Sequence, residues 1–497
     1  MKYYIGIDIG TSGTKSVAFD NKGHILNSKS YEYDIISLKP GYAEENPLDW
    51  KNGVLNTLKD ISKELGGENI KGIGLSGQMH GLVMLDKDDN ILDNSIIWCD
   101  NRCEAEALLL EEFGCEKIRE ITGNYPMQAF TLSKLLWVKR NKKDIYEKIS
   151  KIMLPKDYIR YILTNEFKTE PSDASGMQMM DIRKKEWSRD ILSFFDIDIN
   201  ILPEIVESSD ITGYVTDDVK KYTGLVNTFV VGGAGDQAAC AIGNGVINPS
   251  LASISLGSSG VIFKPLKDLS NMNLNMQYFC HAVKGLYHTM AVTNGCGNSL
   301  KWYKNLLCQN EIKEAKDQDI YSYITRNINL VPLGSNGLIF LPYIMGERTP
   351  HLDSNATGLF IGLRGSTSKD EMTRSVIEGI SYSLKDCFEL MDDDINKIII
   401  SGGGARNDLW CNIISSMLGV NIYKINVSEA PALGVAILAM VAGKEYNDVY
   451  EAVDAIIKIE NEYRPNFADK KIYDKYFMVY KKLYEQNKDI YKELKEI

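Results

Sequence analysis

The chain has 497 residues, 44% hydrophobic and 25% charged, the balance of a soluble globular protein too long for a single core. Its formal net charge of −11 and pI near 5.2 exclude a general nucleic-acid or anionic-membrane surface, though not a local site for an anion. Nine cysteines, an odd number with no C-x-x-C pair, exclude a disulfide scaffold; Cys99 and Cys103 with His80 lack zinc spacing, and reduced thiols suit a cytoplasm.

The run Ile5-Gly6-Ile7-Asp8-Ile9-Gly10-Thr11-Ser12-Gly13-Thr14-Lys15 predicts a strand with a carboxylate at its exit, a glycine and hydroxyl turn, and a return strand through Asp20. Such a turn is either an ordinary hairpin or an anion nest, in which Thr11, Ser12 and Thr14 add hydroxyl donors and Asp8 stands beside a hydrated Mg²⁺. Asp8 inside the first apolar run argues against a signal peptide. Asn21-Lys22-Gly23 and Lys87-Asp88-Asp89-Asn90 mark further hairpins. Trp50 to Leu65 has Val54, Leu55, Leu58, Ile61 and Leu65 on one helical face. Ile70 to Leu75 is a buried-type strand ending in Ser76-Gly77-Gln78-Met79-His80-Gly81. Ile96 to Trp98 is another, followed by Cys99-Asp100-Asn101-Arg102 and a helix through Phe113. From Ile118 to about Ile201 the pattern is mainly helical, broken at Pro126, Pro155 and Pro171. Phe229 to Val231 is a strand running into Gly232-Gly233-Ala234-Gly235-Asp236 and a small-residue helix, Gln237 to Ile242.

The second half repeats the opening theme. Ala252 to Leu256 is a strand, Gly257-Ser258-Ser259-Gly260 a turn, and Val261 to Phe263 the return. Ser368 with Glu371 is a capping-box pattern opening a helix toward Met391. Ile398 to Ile400 leads into Ser401-Gly402-Gly403-Gly404-Ala405 and a helix through Leu418. The longest apolar run, near Ala432 to Ala442, is too short to cross a bilayer. Tyr473, Tyr476, Phe477, Tyr480 and Tyr484 recur at helical spacing, as a packing face does. Two related loops opening two halves predict two α/β domains facing across a cleft, 1–245 and 246–497, with a C-terminal helix from about residue 470. Ligands of such sheets lie at the carboxyl ends of strands. Asp8, His80, Asp236, Ser258 and Gly403 all follow predicted strands, which makes them candidates to converge.

Asp236 at a strand end is either a general base or a helix N-cap. His80, one of five histidines, is either a satisfied structural residue or a neutral imidazole able to hydrogen-bond hydroxyls, and Gln237 offers an amide. Asp100 and Arg102 read equally as ligand contacts or as a surface salt bridge.

These motifs resemble, in order and over nearly the whole chain, the FGGY carbohydrate kinases of the actin/hexokinase/Hsp70 superfamily, with two ribonuclease-H-like domains. The resemblance rests on the two loops, Gly235-Asp236-Gln237, Ser401 to Ala405, and Gly358-Leu359-Phe360-Ile361-Gly362-Leu363 with Glu371-Met372 and Ser375-Val376-Ile377-Glu378. Lys134 and Trp137-Val138 fit an earlier family segment, from which Ala129 departs. Ser76 to Gly81 and Trp98 to Arg102 are similar to the type acting on D-xylulose. The resemblance implies ATP-dependent phosphorylation of D-xylulose to D-xylulose 5-phosphate in the cytoplasm, closure of the domains excluding water. It implies Asp236 as base, Asp8 on the Mg²⁺ side, and Met79, His80, Gly81 and Gln237 on the sugar, with Asp100 and Arg102. Thr11, Ser12, Thr14, Gly257, Ser258 and Ser259 would hold phosphates, and Gly403, Gly404 and Asn407 the adenosine. It allows a homodimer and gives Glu347-Arg348-Thr349-Pro350 no role. The alternative is a kinase of ribulose, gluconate or glycerol. A rival of another class is a superfamily ATPase with no sugar acceptor.

Overall fold

The apolar run at the N-terminus makes a strand buried on both faces. In the computed structural model, which describes residues 2–391 and 394–496, β1 (Tyr3–Ile9) sends Ile5, Ile7 and Ile9 to one side. There they meet Trp50, Val54, Leu58 and Ile61 of α1 (Pro47–Leu65), the amphipathic helix expected from their spacing. Asn46 caps α1 through the amide of Leu48. β2 (Gly13–Asp20) and β3 (Ile25–Glu32) continue as an antiparallel meander. β4 (Ile70–Gly77) then lies parallel to β1 on its other side. α2 (Thr131–Asn141) follows in a region expected to be mainly helical, which in fact mixes short helices with two-stranded pairs such as Val83–Leu85 with Lys151–Met153. β5 (Ile211–Tyr214), β6 (Phe229–Val231) and the two-residue β7 (Ala234–Gly235) complete the sheet, in the order β5-β6-β4-β1-β2-β3 with β7 beside β4. α3 (Asp236–Gly243) starts where β7 stops.

The second sheet is built by the same rule. β8 (Leu251–Leu256) and β9 (Gly260–Leu266) form the predicted hairpin. β10 (Tyr287–Thr293) borders β9 and leads to α4 (Gly297–Leu307). The expected capping box opens α5 (Lys369–Phe388): the Ser368 hydroxyl accepts from the amide of Glu371, whose carboxylate accepts from the amide of Ser368. β11 (Lys397–Ser401) runs parallel to β8, and α6 (Asp408–Leu418) and β12 (Asn421–Ile425) follow. With β13 (Ile459–Tyr463) and the strand Gln277–Cys280 at the β10 edge, the order inward from that edge is β10-β9-β8-β11-β12-β13. Tyr473, Phe477, Tyr480 and Tyr484 of the helix Phe467–Glu496 are buried, as a packing face requires.

The chain forms two units, but not by a single cut at residue 245. Residues 278–288 and 427–457 belong with 1–247, and the second unit comprises 248–277, 289–426 and 458–497. The physical reason lies in α7 (Ala430–Ala442), the longest apolar run, whose residues 432–440 are buried. It is a core helix of the first unit, packed on β1, β4 and α3. Two glycines permit that approach: a β-carbon on Gly6 would lie 1.8 Å from the Ala432 carbonyl oxygen, and one on Gly434 would lie 1.9 Å from that of Ala239. Among the described residues no helix is long and apolar enough to cross a membrane.

Candidate active site

Parallel register brings the carboxyl ends of three strands of the first unit together. Asp8 pairs with Ser76, and Ser76 with Ala234. The Ser76 hydroxyl donates to Asp8 Oδ1 at 2.9 Å. Asp236 is the first residue of α3, one place inside Gly235, so it is not the helix cap. Its Oδ1 accepts from the Gln237 amide at 2.7 Å. Burial, then the charge of Asp8, pushes the Asp236 carboxyl up to about 7, while Gln237 opposes the shift with backbone and side-chain hydrogen bonds. The helix N-terminus also favours the charged form, so Asp236 can exchange a proton near neutrality. Asp8 is raised too, first by burial and also by Glu429, against Ser76 and Lys15. Lys15 is itself paired with Glu429 at 2.5 Å. One helical turn beyond Asp236, the Cys240 thiol is pushed up to about 12 by burial and by the Asp236 and Asp8 charges.

The loop after β4 carries His80 and Met79 on the same edge. The Gln78 amide donates to the Ile9 carbonyl, tying the loop to β1. Met79 packs so closely under Gly235 that a β-carbon there would lie 3.1 Å from its sulfur. His80 Nδ1 lies 2.9 Å from the Gly176 carbonyl oxygen, which makes Nδ1 the donor and Nε2 the acceptor. Burial, then Lys134, lowers its pKa to about 3, so the ring is neutral. Phe130 meets it edge-on, 4.9 Å between centroids. Gly81 is buried against Pro155, where a β-carbon would come within 2.6 Å, so it serves packing.

Other expected contacts are placed differently. Thr14 pairs with Ile9 inside β2, is 1% exposed, and meets the Tyr33 hydroxyl at 3.3 Å. It is a strand residue facing inward, not a donor at the turn. Thr11 accepts from the Trp98 indole at 3.0 Å, and Ser12 is exposed. Asp100 and Arg102 bind each other at 2.7 Å with side chains 0% and 2% exposed, and Arg102 also holds Glu44 at 2.6 Å. The salt bridge is real, but it lies in the interior and not on the surface.

The second unit holds a separate cavity of about 440 Å³. Gly257 and Ser258 of the β8–β9 turn, Gly403, Gly404 and Asn407 line it; Ser259 does not. The Gly257 and Ser258 carbonyls accept from the first two amides of α4, Gly297 and Asn298, at 2.9 Å each. Leu256, Leu300, Tyr321 and Trp410 give apolar walls; Lys301 and Arg406 bring positive charge and Asp319 one carboxylate. Asn407 lines the cavity with its amide engaged: Oδ1 caps α6 and Nδ2 donates to Thr325 at 2.8 Å. Apolar walls with a few cations and open glycine turns suit a flat base joined to phosphates.

Comparison with known proteins decides the family. The N-terminal domain of the FGGY family of carbohydrate kinases matches residues 3–243, and its C-terminal domain matches residues 252–443. The chain belongs to the FGGY family of carbohydrate kinases. A xylulose kinase of Bacillus subtilis (strain 168) is 34% identical over 503 residues, covering 100% of this chain and 99% of its own. The ligand-bound xylulose kinase of Lactobacillus acidophilus superposes with a TM-score of 0.92 at 28% identity, covering 99% of this chain and 100% of that one. A gluconate kinase of the same organism gives 0.92 at 28% identity, with 99% of both chains covered. This FGGY kinase is therefore a phosphotransferase acting on a carbohydrate-class acceptor.

Within this FGGY kinase, two features have no role that the sequence alone assigns. Glu347 is a buried hub: it accepts from Thr293 Oγ1 at 2.7 Å, the Asn294 amide at 2.8 Å and the Arg348 amide at 2.7 Å. It thereby fixes the turn that leads into α4 and the cavity. Burial pushes its carboxyl up to about 7. The second feature is α4 itself, whose signal was a strand running into the glycine turn Gly295-Cys296-Gly297.

Proposed function

We propose that this kinase transfers the terminal phosphoryl group of ATP to D-xylulose, giving D-xylulose 5-phosphate and ADP. The observation that carries the reading is the Asp236 carboxylate at the strand ends, held near a pKa of 7 by burial and by Asp8. A base poised there is matched to a sugar hydroxyl at neutral pH. Asp236 accepts the hydroxyl proton while the oxygen bonds to the γ-phosphorus and the bond to the bridging oxygen of ADP breaks. Met79 packs on the sugar's carbon face, and the neutral His80 accepts a hydroxyl hydrogen bond at Nε2. The cavity walled by Tyr321 and Trp410 takes the adenosine, and the turn at Gly257 and Ser258 takes the phosphates. Among the described residues no group of three or more His, Cys, Asp or Glu side chains gathers as a metal cage. That fits Mg²⁺ arriving on the nucleotide and held through water by Asp8, where it would offset phosphate charge. The reading includes a cytoplasmic location.

The relatives named xylulose kinase favour the ketopentose, and the likeness to a gluconate kinase favours a sugar acid as the second reading. Charge separates them. The cations of the sugar edge are engaged: Lys15 by Glu429, Arg102 by Asp100 and Glu44, and Lys134 by two carbonyls. With His80 neutral, a neutral ketose is the better fit. A coupled ADP-release assay across D-xylulose, ribulose, gluconate and glycerol tests this. D-Xylulose is expected to give the highest kcat/KM; preference for gluconate overturns the assignment, and sugar-independent turnover restores the ATPase rival.

A further inference from the structure

His80 has a backbone φ of 70°, in the left-handed region that a residue with a β-carbon enters only under constraint. The constraint is visible. Its carbonyl oxygen accepts from Lys134 Nζ at 2.7 Å and from Thr131 Oγ1 at 3.2 Å, both from the first turn of α2. Lys134 donates again to the Ala129 carbonyl at 2.7 Å. It is 0% exposed, and burial lowers its pKa to about 7, yet its amino group is spent on two carbonyl oxygens. On the other side of the loop the imidazole is fixed by the Gly176 carbonyl, and Gly176 must be glycine because a β-carbon would lie 2.5 Å from the ring. A buried ammonium is costly where an apolar side chain would fill the same space. Pinning one strained carbonyl accounts for its presence.

We propose that Lys134 and Thr131 are positioning residues for the sugar: they lock the His80 carbonyl so that the imidazole presents Nε2 to a substrate hydroxyl. This rests on the reading of His80 as a sugar contact, so the test separates the two. Steady-state kinetics on the full chain are run with D-xylulose and ATP in two backgrounds. Thr131→Val is expected to raise KM for D-xylulose about fivefold and Lys134→Met about twentyfold, with KM for ATP held within about twofold; Thr131→Ser restores the original value. In a His80→Ala background Thr131→Val should change KM for D-xylulose by less than about 1.5-fold, because the group it acts through is gone. Equal shifts in both backgrounds, or none in either, overturn the positioning role. If His80→Ala alone leaves KM for the sugar unchanged, the sugar contact itself fails. Should Lys134→Met not fold, the isosteric Thr131 pair decides alone.

Discussion

Where β1 and β4 end, Asp8 sits opposite Ser76; where β8 and β11 end, Ser255 sits opposite Ser401. The two sheets share the order of their first four strands, β3-β2-β1-β4 and β10-β9-β8-β11, and one opening hairpin, so these are equivalent positions on two related scaffolds. A carboxylate stands at this place in the first unit and a hydroxyl in the second. The first unit adds Asp236 beside Asp8, whose charge raises the Asp236 carboxyl; the second adds glycine turns, Lys301 and Arg406, with Asp319. The difference teaches that the fold supplies strand ends, and the residue at one register position decides the use. Carboxylates there suit proton transfer and repel phosphates, whereas a hydroxyl beside a glycine turn suits an anion.

The strongest way to break this contrast is to remove its base. Asp236→Ala should leave sugar binding nearly intact and lower kcat by about 10³-fold in the ADP-release assay; turnover within tenfold of normal refutes the role. In the unaltered enzyme kcat/KM should fall about tenfold per pH unit below 7, where Asp236 gains its proton. Stability runs the opposite way with pH. The folded pKa lies above the unfolded one, so the carboxyl is neutral in both states below pH 4 and costs stability once charged above pH 7. Asp236→Asn should therefore raise Tm above pH 7 and leave it unchanged below pH 4.

Asp8→Ser rewrites the first strand end as the second and sharpens the comparison. Expected are a fall in kcat of about 100-fold and a shift of the acid limb to lower pH, because the charge that raises Asp236 is gone. A limb that stays in place means that Asp8 does not act on Asp236 electrostatically.

A smaller effect is expected behind the site. The Gly235 amide, one residue before Asp236, donates to Ser172 Oγ at 3.1 Å, and Ser172 donates to Glu170 at 2.9 Å, which meets Lys156 at 3.3 Å. Ser172→Ala leaves a buried amide without its acceptor. It should lower Tm by about 2–4 °C and kcat by about tenfold, read by calorimetry and by the same assay.

What the sequence disclosed and what it hid divide along local and non-local lines. The hairpins, α3, the capping box and the glycines of the cavity depend on neighbours within a few residues, and each was legible. Thr14 was misplaced by one step of strand alternation, since β2 begins at Gly13 and turns Thr14 inward to Tyr33. Asp100 and Arg102 depend on Glu44, which lies 58 residues from Arg102 in the chain, a partner no local pattern reveals. α7 showed its apolarity but not its destination, because two glycines far apart in sequence create its seat. Lys134 showed only that it fits a family segment; its partners are carbonyl oxygens, which carry no side-chain signature.

The second unit offers the finest test of the contrast, in two adjacent glycines of one loop. A β-carbon on Gly403 meets nothing within 4 Å, whereas one on Gly404 lies 2.8 Å from both the Leu256 Cβ and the Trp410 ring. Neither has a positive φ, so space alone separates them. Gly404→Ala must displace Trp410, whose indole is anchored to Ser381 at 3.0 Å, and so reshape the wall of the cavity. It should raise KM for ATP about fivefold while leaving KM for D-xylulose unchanged. Gly403→Ala, which moves no wall, should change KM for ATP by less than about twofold, unless the nucleotide itself occupies that open space. A larger effect at Gly403 than at Gly404 would then locate the ligand against the loop backbone, where the absence of a side chain matters to the bound phosphates or ribose and not to the packing beneath.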